Sequence, residues 1–368
     1  MTEFKISIIV PCYNKEQYVR QCIESVIHQT IGFANIQLII INDASSDLSG
    51  EYISQYAEQY PNNIVYICLE ENVGQANARN VGIEQVNAPY LMFLDSDDWL
   101  AEDYCELMLA PTFETECDLV QCGYIEYRKD GTKVNRENSI RNHSKLVSLK
   151  KVDDRKRYLA NNNLDVGIGR SVYRTAWLNE HNIRFVKFNK YEDNYFAGIV
   201  NYNIGTIYIV PKCLYYYRIL EKSNFHSRND KDHFERLRLN IALIDYYKET
   251  QIWDQYYENI RDSFLDAFYI NTLHIIFCQF DSVPIDQIKY MQKTVKELFP
   301  DYLETIIKPE QGMVQELLLT VEFDHFTVDD WWKMAKYYRA YRGGITSAFD
   351  FLLCILWRNW SILQINKQ

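Results

Sequence analysis

Apolar residues in the first hundred positions fall into short continuous runs separated by segments with helical spacing. Residues 6–10, 37–41, 64–68 and 90–94 are β-branched or aromatic runs that read as buried strands. Between the first two, Val19, Ile23, Val26 and Ile27 share one face of a helix predicted over residues 17–29. Further helices are predicted at about residues 50–60 and 74–86. Strands that alternate with helices imply an α/β fold with a Rossmann-like, doubly wound parallel sheet. In such a sheet the loops at the carboxyl ends of the strands converge on one edge.

The rhythm changes after Cys117. Residues 118–127 and 206–209 read as strands, with a charged turn at Lys129, Asp130 and Gly131 between them. From about Phe225 the texture is helical: Ile260, Phe264, Phe268 and Ile275 recur at near-helical spacing, and Thr327 with Asp330 forms a helix-start signal before Trp331. The expected organisation is a catalytic domain over residues 1–224 and a helical domain over residues 225–368. The first divides into two halves, about 1–110 and about 111–224, the second of which could extend the sheet. The apolar stretch 349–363, with Trp357, Arg358 and Trp360, is too interrupted to span a bilayer. Homo-oligomerisation is its expected role, with docking at a membrane surface as the alternative.

Composition narrows the function. The 368 residues carry a net charge of -11, which argues against nucleic acid as a partner. The nine cysteines include no Cys-x-x-Cys pair and the seven histidines are dispersed, a pattern of reduced thiols in a cytoplasmic protein and not of a disulfide framework or zinc site. Residues 4–10 form a short β-branched run ending in Pro11, which reads as a strand and not a secretory leader.

The chemistry concentrates where Leu91, Met92, Phe93 and Leu94 give way to Asp95, Ser96, Asp97 and Asp98. Carboxylates crowded at a strand end need a positive partner, and a divalent ion carrying a phosphorylated substrate suits one or two of them. A solvated turn with Asp98 capping a helix from Trp99 is the simpler alternative.

Four segments decide between these readings. They are Ser7 to Asn14 (SIIVPCYN), Ile41 to Asp47 (INDASSD), Asn72 to Gly82 (NVGQANARNVG) and the Asp95-Ser96-Asp97 triplet. In order and spacing they resemble the family 2 glycosyltransferases, inverting enzymes of the GT-A fold that use nucleotide sugars; the resemblance covers about residues 4–220. It implies that Pro11, Tyr13 and Asn14 form the nucleotide loop. Asp43 would accept the N3–H of a uracil base, its alternative being a turn or helix cap. Arg79 would lie near the nucleotide, unless Asp47 or another acid holds it as an ion pair. Asp95 and Ser96 would border the ribose and diphosphate, and Asp97, with Asp95 beside it, would bind Mn²⁺ or Mg²⁺. Asp98 would support the loop. Ala44 stands where the family usually has glycine, so a turn without positive φ is expected there.

The resemblance further implies that Glu192 and Asp193 open a helix at the acceptor, with Asp193 the catalytic base and Glu192 the alternative base or an orienting neighbour. A helix start would favour two acids for dipole reasons alone. Tyr215 to Arg218, with Ser223 and His226, is similar to the segment that closes over the donor. There Arg218 or His226 would reach the diphosphate, although core packing explains most of the tyrosine run. Gly167 to Arg174 reads as an acceptor-side loop and helix start. The implied activity moves a hexose or N-acetylhexosamine from a UDP-sugar to a hydroxyl of a cell-surface glycan, glycolipid or glycoprotein, at most peripherally attached to the membrane. A degenerate sugar-binding scaffold is the non-enzymatic alternative. A sugar nucleotidyltransferase would need a glycine-rich basic loop that Pro11 to Asn14 does not supply.

Overall fold

The computed structural model describes residues 4–136, 146–160, 167–188, 190–220, 231–307 and 313–342. The chain divides into two compact units, residues 1–221 and 222–368.

The first unit is built on a sheet of ten strands among the described residues. Strands β1 (Ile6–Cys12), β2 (Ile36–Asn42), β3 (Ile64–Cys68) and β4 (Tyr90–Phe93) are parallel, in the spatial order β3-β2-β1-β4. Every residue of β1 and β2 is buried, as continuous isoleucine and valine runs require when helices cover both faces. The crossovers carry α1 (Val19–Ile27), α2 (Ser49–Gln59) and α3 (Gln75–Glu84). Gly82 lets α3 lie directly on the sheet, since a Cβ there would collide with Ile9 and Ile41.

Beyond β4 the sheet turns mixed. A two-residue strand β5 (Trp99–Leu100) precedes α4 (Tyr104–Leu109), and β6 (Leu119–Tyr127) pairs with the hairpin strand β7 (Lys133–Arg136). Strand β8 (Leu146–Ser148) and helix α5 (Val152–Ala160) follow. Next, β9 (Ser171–Arg174) inserts antiparallel between β4 and β6 and leads into α6 (Thr175–Glu180). Helix α7 (Glu192–Asn203) returns to β10 (Thr206–Arg218), which runs parallel to β6 and antiparallel to β5 and β8.

Three local expectations are corrected. Trp99 and Leu100 form a strand and not a helix start: their backbones pair with Tyr216 and Tyr215, and Trp99 stacks on Tyr216 at 4.9 Å with an 8° interplanar angle. Residues 171–174 form a central strand because Ser171, Val172 and Tyr173 are fully buried between β4 and β6. The strand expected over 206–209 continues to Arg218, carried by its long pairing with β6.

The second unit contains α8 (Glu235–Glu249), α9 (Ile252–Phe264), a π-helical turn (Leu265–Ile270), α10 (Asn271–Gln279), α11 (Ile285–Leu298) and α12 (Val328–Arg342). Ile260, Phe264, Phe268 and Ile275 are at most 5% exposed, and Phe264 stacks on Phe268 at 4.5 Å. The π turn sets Tyr269 inward, where its hydroxyl lies 2.9 Å from Thr320 Oγ1. Thr327 and Asp330 cap α12 reciprocally: Thr327 Oγ1 donates to Asp330 Oδ2 at 2.7 Å and receives the Asp330 N–H. Among the described residues no helix is long and apolar enough to cross a membrane. The stretch 349–363 lies outside the described residues.

Candidate active site

The loops after β1, β2 and β4 leave the same sheet edge side by side, because these strands are parallel neighbours. Asn14 ties two of them together: its N–H donates to Ser45 Oγ at 3.0 Å and its Oδ1 accepts the Ser46 N–H at 2.9 Å. Pro11 is buried within β1, while Tyr13 stands 48% exposed at its mouth.

Asp43 is 3% exposed, and its two oxygens accept the backbone N–H groups of Val73 (2.7 Å) and Gly74 (3.0 Å). The carboxylate thus fastens the β2 loop to the start of α3, and each oxygen retains a second lone pair for a ligand donor. Ala44 takes φ 55, contrary to the turn expected without positive φ. The left-handed turn is imposed by its neighbours: Asp43 N–H donates to Cys12 O at 2.8 Å, and Ser45 N–H to Asn42 Oδ1 at 3.0 Å. These anchors offset the roughly 1–2 kcal/mol that a Cβ costs in this conformation.

The acidic loop after β4 is held from several sides. Asp98 is 2% exposed and accepts the Tyr215 hydroxyl at 2.6 Å and the Arg218 N–H at 2.8 Å. Burial, with Asp95 and Asp97 nearby, raises the Asp98 carboxyl well above its ordinary pKa. Ser96 is 4% exposed beneath the loop. Arg218 donates from Nε to the Asp97 carbonyl at 2.8 Å and from Nη2 to Gln21 at 2.6 Å, with Trp99, Tyr18 and Tyr127 around its guanidinium at 4.6, 4.8 and 5.6 Å. The arginine expected at a diphosphate therefore holds the acidic loop in shape. His226, its expected companion, lies outside the described residues.

Arg79 is 3% exposed and forks between two loops. Nη2 meets Asp95 Oδ1 at 2.8 Å and Nη1 meets Glu192 Oε1 at 3.0 Å, so Asp47 is not its partner. Asp47 instead receives the N–H groups of Glu16 and Ser49, both at 3.0 Å. Gln75 also donates to Asp95 Oδ1 at 2.8 Å. Glu192 and Asp193 occupy the first turn of α7, entered through Tyr191 at φ 69. Burial raises both carboxyls above their ordinary values, and Arg79 opposes that rise in each. Asp193 nevertheless stays exposed to solvent.

Sequence reasoning missed Lys15, whose Nζ donates to Asp97 Oδ2 at 2.6 Å. A cation directly after the first strand loop was the available signal, but nothing in the sequence says which acid it meets. It also missed Tyr215 as a partner of Asp98 and Gln75 as a partner of Asp95. The site so assembled has five carboxyls (Asp95, Asp97, Asp98, Glu192, Asp193) around three cations (Lys15, Arg79, Arg218).

Residues 7–181 match the profile of Glycosyl transferase family 2. EpsH of Bacillus subtilis (strain 168), a glycosyltransferase by name, is 31% identical over 281 residues, covering 74% of this chain and 76% of EpsH. The chain belongs to glycosyl transferase family 2. A second relative of this glycosyltransferase is YibD of Escherichia coli (strain K12), 27% identical over 266 residues that cover 70% of this chain and 76% of YibD. Other matches are local: the minor teichoic acid biosynthesis protein GgaB of Bacillus subtilis (strain 168) is 47% identical over 106 residues, 29% of this chain and 12% of GgaB. Among solved structures, S. aureus TarS 1-349 in complex with UDP has a TM-score of 0.68 at 18% identity, covering 93% of this chain and 92% of that one. That likeness shares the fold, a GT-A sheet followed by a helical region.

The buried contact beneath the acidic loop is testable through stability. Tyr215→Phe leaves Asp98 without its hydroxyl donor, and a buried group left short of a partner costs about 1–3 kcal/mol. Urea unfolding is expected to show a lower midpoint with an unchanged slope.

Proposed function

We propose that this family 2 glycosyltransferase moves a hexose or N-acetylhexosamine from a UDP-sugar to an acceptor hydroxyl with inversion, with Asp193 as the base. The Arg79 fork carries the reading. It engages Glu192 on the acceptor side and Asp95 on the donor side, which leaves neighbouring Asp193 as the solvent-reached carboxyl of the pair. Asp193 takes the acceptor proton as its oxygen attacks the anomeric carbon opposite the diphosphate. The sugar–diphosphate bond breaks with its electron pair on the leaving phosphate.

The donor end follows from Asp43, an acceptor-only group that suits the N3–H of uracil and finds no such donor on cytosine. TarS has been crystallised with UDP and with UDP-GlcNAc, which supports the same donor class here. A divalent ion also fits the residues present. The site holds two more carboxyls than cations, and the Lys15 ammonium already stands at Asp97 as a stand-in for positive charge. Among the described residues no three acidic, histidine or cysteine side chains converge into a complete cage, so an ion here would share its shell with substrate phosphates. Asp97, with Asp95 beside it, would hold Mn²⁺ or Mg²⁺, which would spread the charge that builds on the diphosphate.

Names among the relatives point to the acceptor class, a cell-surface glycan, glycolipid or glycoprotein: GgaB and the teichuronic acid protein TuaG of Bacillus subtilis (strain 168) both match locally. On this reading residues 1–224 carry catalysis in the cytoplasm, at most peripherally attached to the membrane, and residues 225–368 support self-association or docking to acceptor or membrane. UDP release from a panel of UDP-sugars, with Mn²⁺ or with chelator, tests it. One donor is expected to turn over only with metal, and Asp97→Ala is expected to remove that activity. Binding of UDP-sugars without turnover in the presence of an acceptor glycan would make the protein a scaffold.

A further inference from the structure

Lys15 and Asp97 lie in the loops that follow the adjacent parallel strands β1 and β4, and both main chains are fixed. The Lys15 N–H donates to Ser49 Oγ at 2.8 Å, and its carbonyl accepts the N–H groups of Tyr18 and Val19, both at 2.9 Å, at the start of α1. Arg218 holds the Asp97 carbonyl, and the next residue, Asp98, is locked by Tyr215 and Arg218. What can move is the Lys15 ammonium on its four-carbon stem and the Asp97 carboxylate about its own bonds. The two meet at 2.6 Å with 29% and 21% of their side chains open to solvent, so an ion can reach the pair.

We propose that Lys15 is an internal cation that competes with a divalent ion for the Asp97 carboxylate and keeps the acidic loop charge-balanced until the donor arrives. This rests on the assignment of Asp97 as a metal ligand. A divalent ion such as Mg²⁺ approaches a carboxylate oxygen to about 2.0–2.1 Å. An ammonium on Asp97 Oδ2 is therefore both a steric and an electrostatic obstacle, and the lysine must swing away before that oxygen can bind metal. Apparent metal affinity is then reduced by the fraction of molecules in which Asp97 is free of lysine. A residue that only stapled the loop would leave metal affinity unchanged.

Mn²⁺ titration followed by the electron paramagnetic resonance of the free ion, on the full chain at constant pH and ionic strength without nucleotide, separates the two. Lys15→Met is expected to bind Mn²⁺ about three- to tenfold more tightly than wild type. Lys15→Arg, which keeps a cation in reach of Asp97, is expected to bind no more tightly than wild type, and Asp97→Ala to lose saturable binding. Lys15→Gln replaces the methionine variant if the latter does not melt cooperatively. Equal affinity in wild type and the neutral variant, with binding still lost in Asp97→Ala, would overturn competition by Lys15 and leave the metal assignment standing. Where saturable binding appears only with nucleotide, the same comparison is made in saturating UDP, and absence of protein-dependent Mn²⁺ binding in both wild type and the neutral variant with UDP present would remove the metal assignment and this inference with it.

Discussion

Asp193→Asn is expected to lower turnover by about a thousandfold while UDP affinity changes by less than about twofold. The amide matches the carboxylate in shape but cannot take the acceptor proton, and the groups proposed to bind the nucleotide, Asp43 above all, keep their contacts. Single-turnover transfer and calorimetric UDP titration on the same preparation check both halves. The pH dependence follows from the raised carboxyl of Asp193. A base acts in its ionised form, so on the proposed role the rate is expected to fall on the acid side with a midpoint above the ordinary carboxylate value of about 3.9. Stability runs the other way. A carboxyl whose folded pKa lies above its unfolded pKa contributes fully below the unfolded value, and that contribution is lost as pH rises through the folded value. At neutral pH the ionised Asp193 is a cost to the fold, and Asp193→Asn is expected to melt slightly higher than wild type. An unchanged rate in this variant would remove Asp193 as the base and return Glu192 to that role.

Arg79→Met is the second large effect, and it acts on stability and rate together. The guanidinium side chain is 4% exposed and serves two carboxylates, so its loss leaves Glu192, itself only 14% exposed, without its cation. Breaking a buried pair from one side costs about 3–5 kcal/mol. The Asp95 end, 36% exposed, supplies the smaller share because water screens it. Turnover is expected to drop at least about a hundredfold, since both the donor-side and acceptor-side acids lose their common anchor. Arg79 also opposes the rise in the Asp193 pKa, so the acid limb of the residual activity is expected to move to higher pH. Arg79→Lys gives little rescue, because one ammonium cannot reach both carboxylates as a planar fork does. Urea midpoints and pH–rate profiles of the two variants, set beside wild type, measure these effects; a methionine variant as stable and as active as wild type would show that the fork has no role.

The first four strands were legible because each announces itself locally. Isoleucine-rich runs interrupted inside only by Ser7 and Gln37 fit strands buried on both faces, and β1 and β2 are buried along their whole length. The helix over residues 74–86 is found at Gln75–Glu84, its start marked by Gly74 at φ 87. Placement of the acidic triplet at a strand end was equally local, since the apolar run of β4 stops at Phe93. The errors have a common cause in partners distant along the chain. Trp99 looks like a helix start until Tyr216 claims its backbone and its ring. Ala44 looks barred from positive φ until its two neighbours are seen anchored to Cys12 and Asn42. Residues 171–174 look like a loop until β4 and β6 close on either side.

The sequence by itself determined the α/β class, the parallel start of the sheet, the family and most of the residues that the candidate site brings together, Lys15 excepted, because these depend on periodicity and on short motifs. Only the tertiary structure decided which acid meets which cation. Lys15 finds Asp97 across 82 positions, Arg79 finds Glu192 across 113, and Tyr215 finds Asp98 across 117. A side chain's charge is written in its own position, but its partner is set by the register of strands between them. The electrostatics of this site therefore belong to the fold.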